Sequence, residues 1–377
     1  MTVTPPFSLD VLTLTATAAQ KLLQDGNVTS IQLVQAYLAQ IKKHNHAGFH
    51  LNAIISLAPQ ETLVATADRL DRERASGTIR SPLHGIPFIV KDVFTTHPSL
   101  GLPTTAGAPC FATAQAKRTA PLLQHLLDSG MILLGKANLT EFCGLKMKGH
   151  TPGWSPMGGQ TQSPYIYGGL EPGEKLIGHS SAGGSSSGSA SGVAAGFAPL
   201  SIGTECCGSL ITPANRAGVY ALKCGLGGMA KSVEDLAVFT AALMQRAEPI
   251  DFSGGFEGLR VAFTDVKEWR LPEEVCAWPG DTREQMEMGY AAAMARMSGL
   301  GATVTENVDL PIAYDVFKTA DGKSHFYEIA LYQLANEYLP AFFNEFSESE
   351  ARSLNDIITY NEQHKDICMP PGTYPPS

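Results

Sequence analysis

The side chains able to do covalent chemistry in this 377-residue chain fall in a few short stretches. One is a Ser/Gly run from Ser180 to Gly192, where Gly184-Ser185-Ser186-Ser187-Gly188 has the Gly-x-Ser-x-Gly form of a nucleophile elbow. An elbow needs a strand ending just before it, and Gly178 to Gly183 lack that pattern. A flexible linker is the plainer reading of such a run. Against it, Val193-Ala194-Ala195-Gly196-Phe197 and the apolar stretch Ala198 to Ile202 follow at once. A second stretch is Cys206-Cys207-Gly208-Ser209. No histidine stands beside the two cysteines to activate them, so they read as buried structural thiols. Ser209, close to Pro213, reads on its own as a turn serine. A third is Lys91-Asp92, which ends the apolar run Ile86-Pro87-Phe88-Ile89-Val90. A lone lysine in that position is most often a surface group. The ten histidines and seven cysteines include no His-Glu-x-x-His, no Cys-x-x-Cys and no His/Cys pair at ligand spacing, so no metal or other cofactor is expected. The absence of Gly-x-x-x-x-Gly-Lys-Ser/Thr excludes a P-loop.

These stretches sit among elements of two periodicities. Ile31, Val34, Leu38 and Ile41 recur at helical spacing, Thr29 and Gln32 have capping-box form, and Gly26 closes the helix before them. Gln60 to Arg74 reads as another helix. Ile86–Val90 and Met131–Leu134 are short continuous apolar runs, as in strands buried on both faces, with a Leu-rich helix from Pro121 to Leu127 between them. Residues 150–180 form a long loop rich in Gly, Pro, Ser and Gln. Later, Leu259–Phe263 and Ala302–Thr305 read as strands around a helix over Thr282–Met297, followed by an apolar-aromatic helix from about Ser324 to Phe343 and a Pro-rich tail from Met369. The alternation argues for an α/β layered fold. The domain reading is a single domain over 1–377, with an N-terminal helical part (1–80), a core carrying the chemistry (81–245) and a C-terminal α/β part (246–377).

The stretch Gly183 to Lys223 closely resembles the amidase-signature family. It has that family's Gly-Gly-Ser-Ser opening, small-residue helix, Gly-Thr-acid turn, Gly-Ser, Pro-Ala and Gly-x-x-x-Leu-Lys close. Upstream, His84-Gly85-Ile86-Pro87-Phe88-Ile89-Val90-Lys91-Asp92 resembles the family's lysine motif. Gly135-Lys136-Ala137-Asn138-Leu139-Thr140-Glu141-Phe142 resembles its Gly-Lys-x-Asn-x-x-Glu-Phe segment. The resemblance implies an α/β fold with a mixed central β-sheet covered by helices on both faces, Ser209 as nucleophile, Ser185 as a proton shuttle preceded by a cis peptide bond from Gly184, and Lys91 as base. It further implies Ser186 helping to hold the lysine, Thr204 in support, and an oxyanion hole from the backbone of Cys206, Cys207, Gly208 and Ser209. The chain departs from the family at Cys207 (usually glycine), Glu205 (usually aspartate) and Ile211 (usually arginine). A segment is missing after Lys223, and the C-terminal part reads as truncated.

The implied proton route is physically coherent. A serine hydroxyl becomes a good nucleophile only when a base takes its proton. A lysine serves as that base only when neutral, and burial favours the neutral amine. The apolar run before Lys91 supplies such a setting, with Asp92 opposing if it faces the amine. The activity implied is hydrolysis of a linear carboxamide through an acyl-enzyme. An amidotransferase subunit, or an impaired relative acting as a binding or scaffold protein, are the alternatives. Partners expected are a small-molecule amide substrate and a second copy in a homodimer. A net charge of −9 offers no attraction to nucleic acid or an anionic membrane. No membrane span and no secretory signal are read, which with free thiols points to the cytoplasm.

Overall fold

A computed structural model describes residues 9–146, 151–224, 226–246, 248, 254–271, 273, 275–276, 278, 280–311 and 313–369. All of the Pro-rich tail except Met369 therefore lies outside the described residues. Among the described residues no helix is long and apolar enough to cross a membrane. The chain divides into two compact units, Met1–Leu176 with Ser180–Ile250 and Phe343–Ser377, and Ile177–His179 with Asp251–Phe342. The stretch 246–377 is thus shared between them.

The first unit opens with α1 (Ala16–Gln24) and α2 (Ser30–His44). Thr29 and Gln32 close a reciprocal capping box at the start of α2. The fully buried face of α2 is Leu33, Val34, Tyr37 and Ile41, while the expected Ile31 and Leu38 flank it half-buried. Then come β1 (Ile54–Leu57), α3 (Gln60–Ala75), β2 (Pro87–Lys91), α4 (Pro121–Asp128), β3 (Ile132–Ala137), α5 (Ser187–Ala194), β4 (Leu200–Thr204), α6 (Ile211–Arg216), β5 (Tyr220–Cys224), β6 (Leu226–Ala230) and α7 (Val233–Leu243). The strands form one six-stranded sheet in the order β1-β3-β2-β4-β6-β5. β2 runs parallel to both β3 and β4, and the outer pairings are antiparallel, so the sheet is mixed as the family resemblance implies.

β2 is buried at every residue, and Phe88, Ile89 and Val90 are completely enclosed. Each such side chain contributes about 1.5–3 kcal/mol of transfer free energy. The Ser/Gly run is not a linker. Its second half is α5, whose small residues allow the helix to lie almost on the sheet. A Cβ on Gly188 would stand 2.2 Å from Ala53 O and 2.5 Å from Asn138 N, and Gly188 N donates to Asn138 O at 2.9 Å. Asp235, buried on α7, holds the start of α1 by accepting from Ala16 N and Thr17 N at 2.7 and 2.8 Å. From the far end of the chain, Phe346–Glu348 pairs antiparallel with Gln115–Ala116, and Phe346 packs 5.5 Å from the Phe111 ring.

In the second unit β7 (Arg260–Ala262) and β8 (Thr303–Thr305) are parallel neighbours joined through α8 (Thr282–Gly299). The expected apolar-aromatic helix is present in pieces. Phe326–Gln333 runs into a π-helical stretch, Leu334–Tyr338, and then Leu339–Asn344.

Candidate active site

Lys91 is the last residue of β2, flanked by β3 and β4. Its side chain is completely buried. The Nζ donates to Ser185 Oγ at 2.7 Å and to Thr204 Oγ1 at 2.8 Å. Burial lowers its pKa below that of a free lysine. Cys143, Cys206 and Glu205 pull the other way without outweighing it. The surface-lysine reading is therefore excluded.

Asp92 does not face this amine. Its carboxylate accepts from the Thr105 backbone N–H at 3.1–3.2 Å and from the Thr105 hydroxyl, and lies 3.6 Å from Lys136 Nζ. The reason is strand alternation and register. Successive residues point to opposite faces, and β3 pairs Lys136 with Val90 and Ala137 with Lys91. The two buried lysines thus emerge on opposite faces of the sheet. Lys136 also donates to Phe94 O and to Thr104 Oγ1, at 2.5 and 2.8 Å. Burial lowers it to about 8 against the pull of Asp92, so it remains charged at neutral pH and serves the scaffold.

Ser185 follows a cis peptide bond from Gly184. No larger residue fits at 184, because a Cβ there would stand 2.6 Å from Thr140 Oγ1 and 2.9 Å from Pro152 Cβ. Ser185 O accepts from Thr140 N at 3.0 Å, which ties the serine to the segment after β3. Ser186 does not hold Lys91 directly. Its hydroxyl lies 3.2 Å from both the carbonyl and the N–H of Thr204 and braces the residue that holds the lysine. β4 places Thr204 next to Lys91, while Ser186, the residue before α5, faces the backbone of β4.

Ser209 lies half-buried in the turn between β4 and α6. Ser186 N donates to Ser209 O at 2.9 Å, so the two serine segments are joined by backbone. Among the described residues Ser209 Oγ has no hydrogen-bond partner. The turn is ordered by Glu205. Its carboxylate accepts from Gly208 N at 2.5 Å, from Leu210 N, and from Ile211 N at 3.1 Å. Gly208 adopts φ +103°, where a Cβ would also come 2.9 Å from Thr212 Oγ1. The expected oxyanion donors therefore divide. The Gly208 N–H is spent on Glu205, whereas the N–H groups of Cys206, Cys207 and Ser209 have no partner among the described residues.

Cys206 and Cys207 are exposed residues rather than buried ones, because they lie in the turn beyond the end of β4. One neighbour of the Lys91–Thr204 pair carries no signal in the sequence. Cys143 sits in a turn where Phe142 and Cys143 both take left-handed φ values of 47° and 58°, and its Sγ lies 4.0 Å from Thr204 Oγ1. Nothing in Glu141-Phe142-Cys143-Gly144 signals that geometry, since the residues usual at positive φ are Gly, Asn and Asp.

Comparisons with known proteins agree with this architecture. The sequence pattern of the family described as Amidase matches residues 32–306. A protein of Arabidopsis thaliana named "Probable amidase" is 29% identical over 360 residues, covering 90% of this chain and 66% of that protein. A glutamyl-tRNA(Gln) amidotransferase subunit from Chloroflexus aurantiacus is 34% identical over 210 residues, covering 56% of this chain and 38% of that one. The native peptide amidase from Stenotrophomonas maltophilia matches with a TM-score of 0.74 at 28% identity, over 96% of this chain and 73% of its own. The chain spans between 33% and 66% of the length of the curated relatives compared first. With the family pattern spanning most of the chain and the same mixed α/β architecture beneath it, the protein belongs to the amidase family.

Proposed function

We propose that this protein hydrolyses the C–N bond of a carboxamide, with Ser209 as nucleophile, Ser185 as proton shuttle and Lys91 as base. The observation that carries the reading is the buried Lys91 amine, its pKa lowered by desolvation, 2.7 Å from Ser185 Oγ. Ser209 Oγ attacks the amide carbon as its proton passes to Ser185 Oγ and the Ser185 proton passes to Lys91. The tetrahedral oxyanion is met by the backbone N–H groups left free at Cys206, Cys207 and Ser209. The proton then returns through Ser185 to the leaving amine, the step that makes amide cleavage feasible. Water reverses the sequence on the acyl-enzyme. The hydrogen bond between Ser209 and Ser185 forms when substrate closes the turn, as such bonds commonly tighten only in the complex. Family membership and the likeness to a peptide amidase support this assignment.

The test is a panel of amides followed by mass spectrometry, comparing the native chain with Ser209→Ala. Undiminished hydrolysis by the variant overturns the assignment. The relation to an amidotransferase subunit favours a second reading, release of ammonia to a partner chain. Hydrolysis by the isolated chain without a partner decides against it. Labelling of Ser209 by a fluorophosphonate decides against a purely structural role.

A further inference from the structure

The proposed amide chemistry uses the backbone of Cys206 and Cys207 and leaves their side chains without a task. Both residues are exposed as a whole, although the Cys207 thiol is partly covered, whereas Cys110, Cys276 and Cys368 are buried and Cys143 is half-buried. They are neighbours in one turn, with Cα atoms about 3.8 Å apart. Lys223 Nζ donates to Cys206 O at 3.2 Å and brings an ammonium to the edge of the pair. Cys224 is also exposed and ends β5, a strand separate from the pair. Burial raises the Cys207 thiol above its ordinary value, and Cys206 and Glu205 add to this against Lys223. Two adjacent exposed cysteines suit a reagent that bonds both sulfurs and expels water.

We infer that Cys206 and Cys207 form a dithiol site for trivalent thiophilic metalloids, arsenic(III) above all, and that filling it disables the turn that carries Ser209. With an arylarsenoxide, two As–S bonds form, both S–H bonds break, and the arsenoxide oxygen leaves with the two thiol protons as one water. Arsenic stays trivalent and no electron is transferred. The resulting ring fixes the backbone between residues 206 and 207, so their N–H groups no longer turn toward an oxyanion, and the aryl group lies over the approach to Ser209. The activity part of this inference rests on the proposed function, whereas the binding part does not.

The experiment uses the full chain with one equivalent of phenylarsine oxide. Intact mass and peptide mapping are read after challenge with excess 2-mercaptoethanol or with 2,3-dimercaptopropanol. One adduct per chain is expected on the peptide holding Cys206 and Cys207, resistant to the monothiol and removed by the dithiol. Cys206→Ser and Cys207→Ser should each weaken retention against monothiol by about tenfold or more, because the second sulfur then acts at no effective concentration. Cys224→Ser and Cys143→Ser should retain the adduct, which keeps the test decisive if the first two variants fail to fold. Amide hydrolysis should fall about tenfold or more on modification, the scale of losing oxyanion donors, and return with the dithiol. An adduct on another peptide, or one lost in Cys224→Ser, overturns the site. A full adduct with undiminished hydrolysis overturns the link to the turn. If Ser209→Ala hydrolyses normally the function assignment falls, yet the adduct masses still decide the dithiol site.

Discussion

Replacing Glu205 by glutamine changes one atom and tests whether this carboxylate holds the nucleophile's turn. One carboxylate oxygen accepts from Gly208 N and the other from Leu210 N and Ile211 N. Hydrogen bonds to a charged acceptor contribute about 1.5–3 kcal/mol each, and neutral ones about 0.5–1.5. Glutamine offers one oxygen. If it serves Leu210 and Ile211 at the start of α6, its NH2 group faces the Gly208 N–H, donor against donor. The turn then loses one charge-assisted bond and weakens two others, a gross loss of about 3–5 kcal/mol. The site is only half-buried, so water recovers part of it and a net loss of about 2 kcal/mol in stability is expected. Gly208 precedes Ser209 directly, and its release spreads the positions of the hydroxyl and of the neighbouring N–H donors. With about 1.4 kcal/mol to each factor of ten, Glu205→Gln should lower kcat by about ten- to a hundredfold. KM should change little, because the turn acts on the transition state. Steady-state kinetics on the best amide of the panel, beside urea denaturation, reads both quantities. A variant with kcat within twofold of the native value and an unchanged urea midpoint would refute the argument that this carboxylate organises the turn.

Further expectations concern the base and its surroundings. Lys91 acts as the neutral amine, so activity is present above its folded pKa, lowered by burial, and is lost as pH falls through it; a rate profile without an acid limb counts against Lys91 as base. Lys91→Arg should lose about 10⁴-fold or more in kcat at every pH, since a guanidinium stays protonated, and circular dichroism should show the fold retained. Thr204→Val removes an acceptor of the Lys91 ammonium at 2.8 Å. A hydrogen bond of this kind favours the charged form, so the acid limb should move to lower pH while kcat falls about tenfold; a limb moving upward would contradict the geometry. Lys136→Met leaves the Asp92 carboxylate buried without its cation and should destabilise the protein by about 3–5 kcal/mol, read as a lowered midpoint in urea. Adding Asp92→Leu should restore part of that loss, and strict additivity of the two changes would show that the groups are not coupled.

What could be learned from residue order alone was local. The apolar run through Val90 announces a strand buried on both faces, the Thr29/Gln32 pair announces its own cap, and three ordered motifs identify the family and nominate Lys91, Ser185 and Ser209. Those signals are carried by neighbours in the chain, through alternation, capping and small-residue spacing. The long-range decisions belong to the fold. Register across β2 and β3 sends Asp92 to Lys136 and away from Lys91, a choice that reverses with a one-residue slip. The close seat of α5 brings Ser185 to Lys91 but turns Ser186 toward Thr204. The reach of Glu205 takes the Gly208 N–H from the expected oxyanion donors, and the path of the same turn past the end of β4 exposes two cysteines that read as buried. The sequence by itself determined which groups are available for chemistry. Only the tertiary structure decided which of them face one another, because side-chain direction at a site depends on register and packing between segments far apart in the chain.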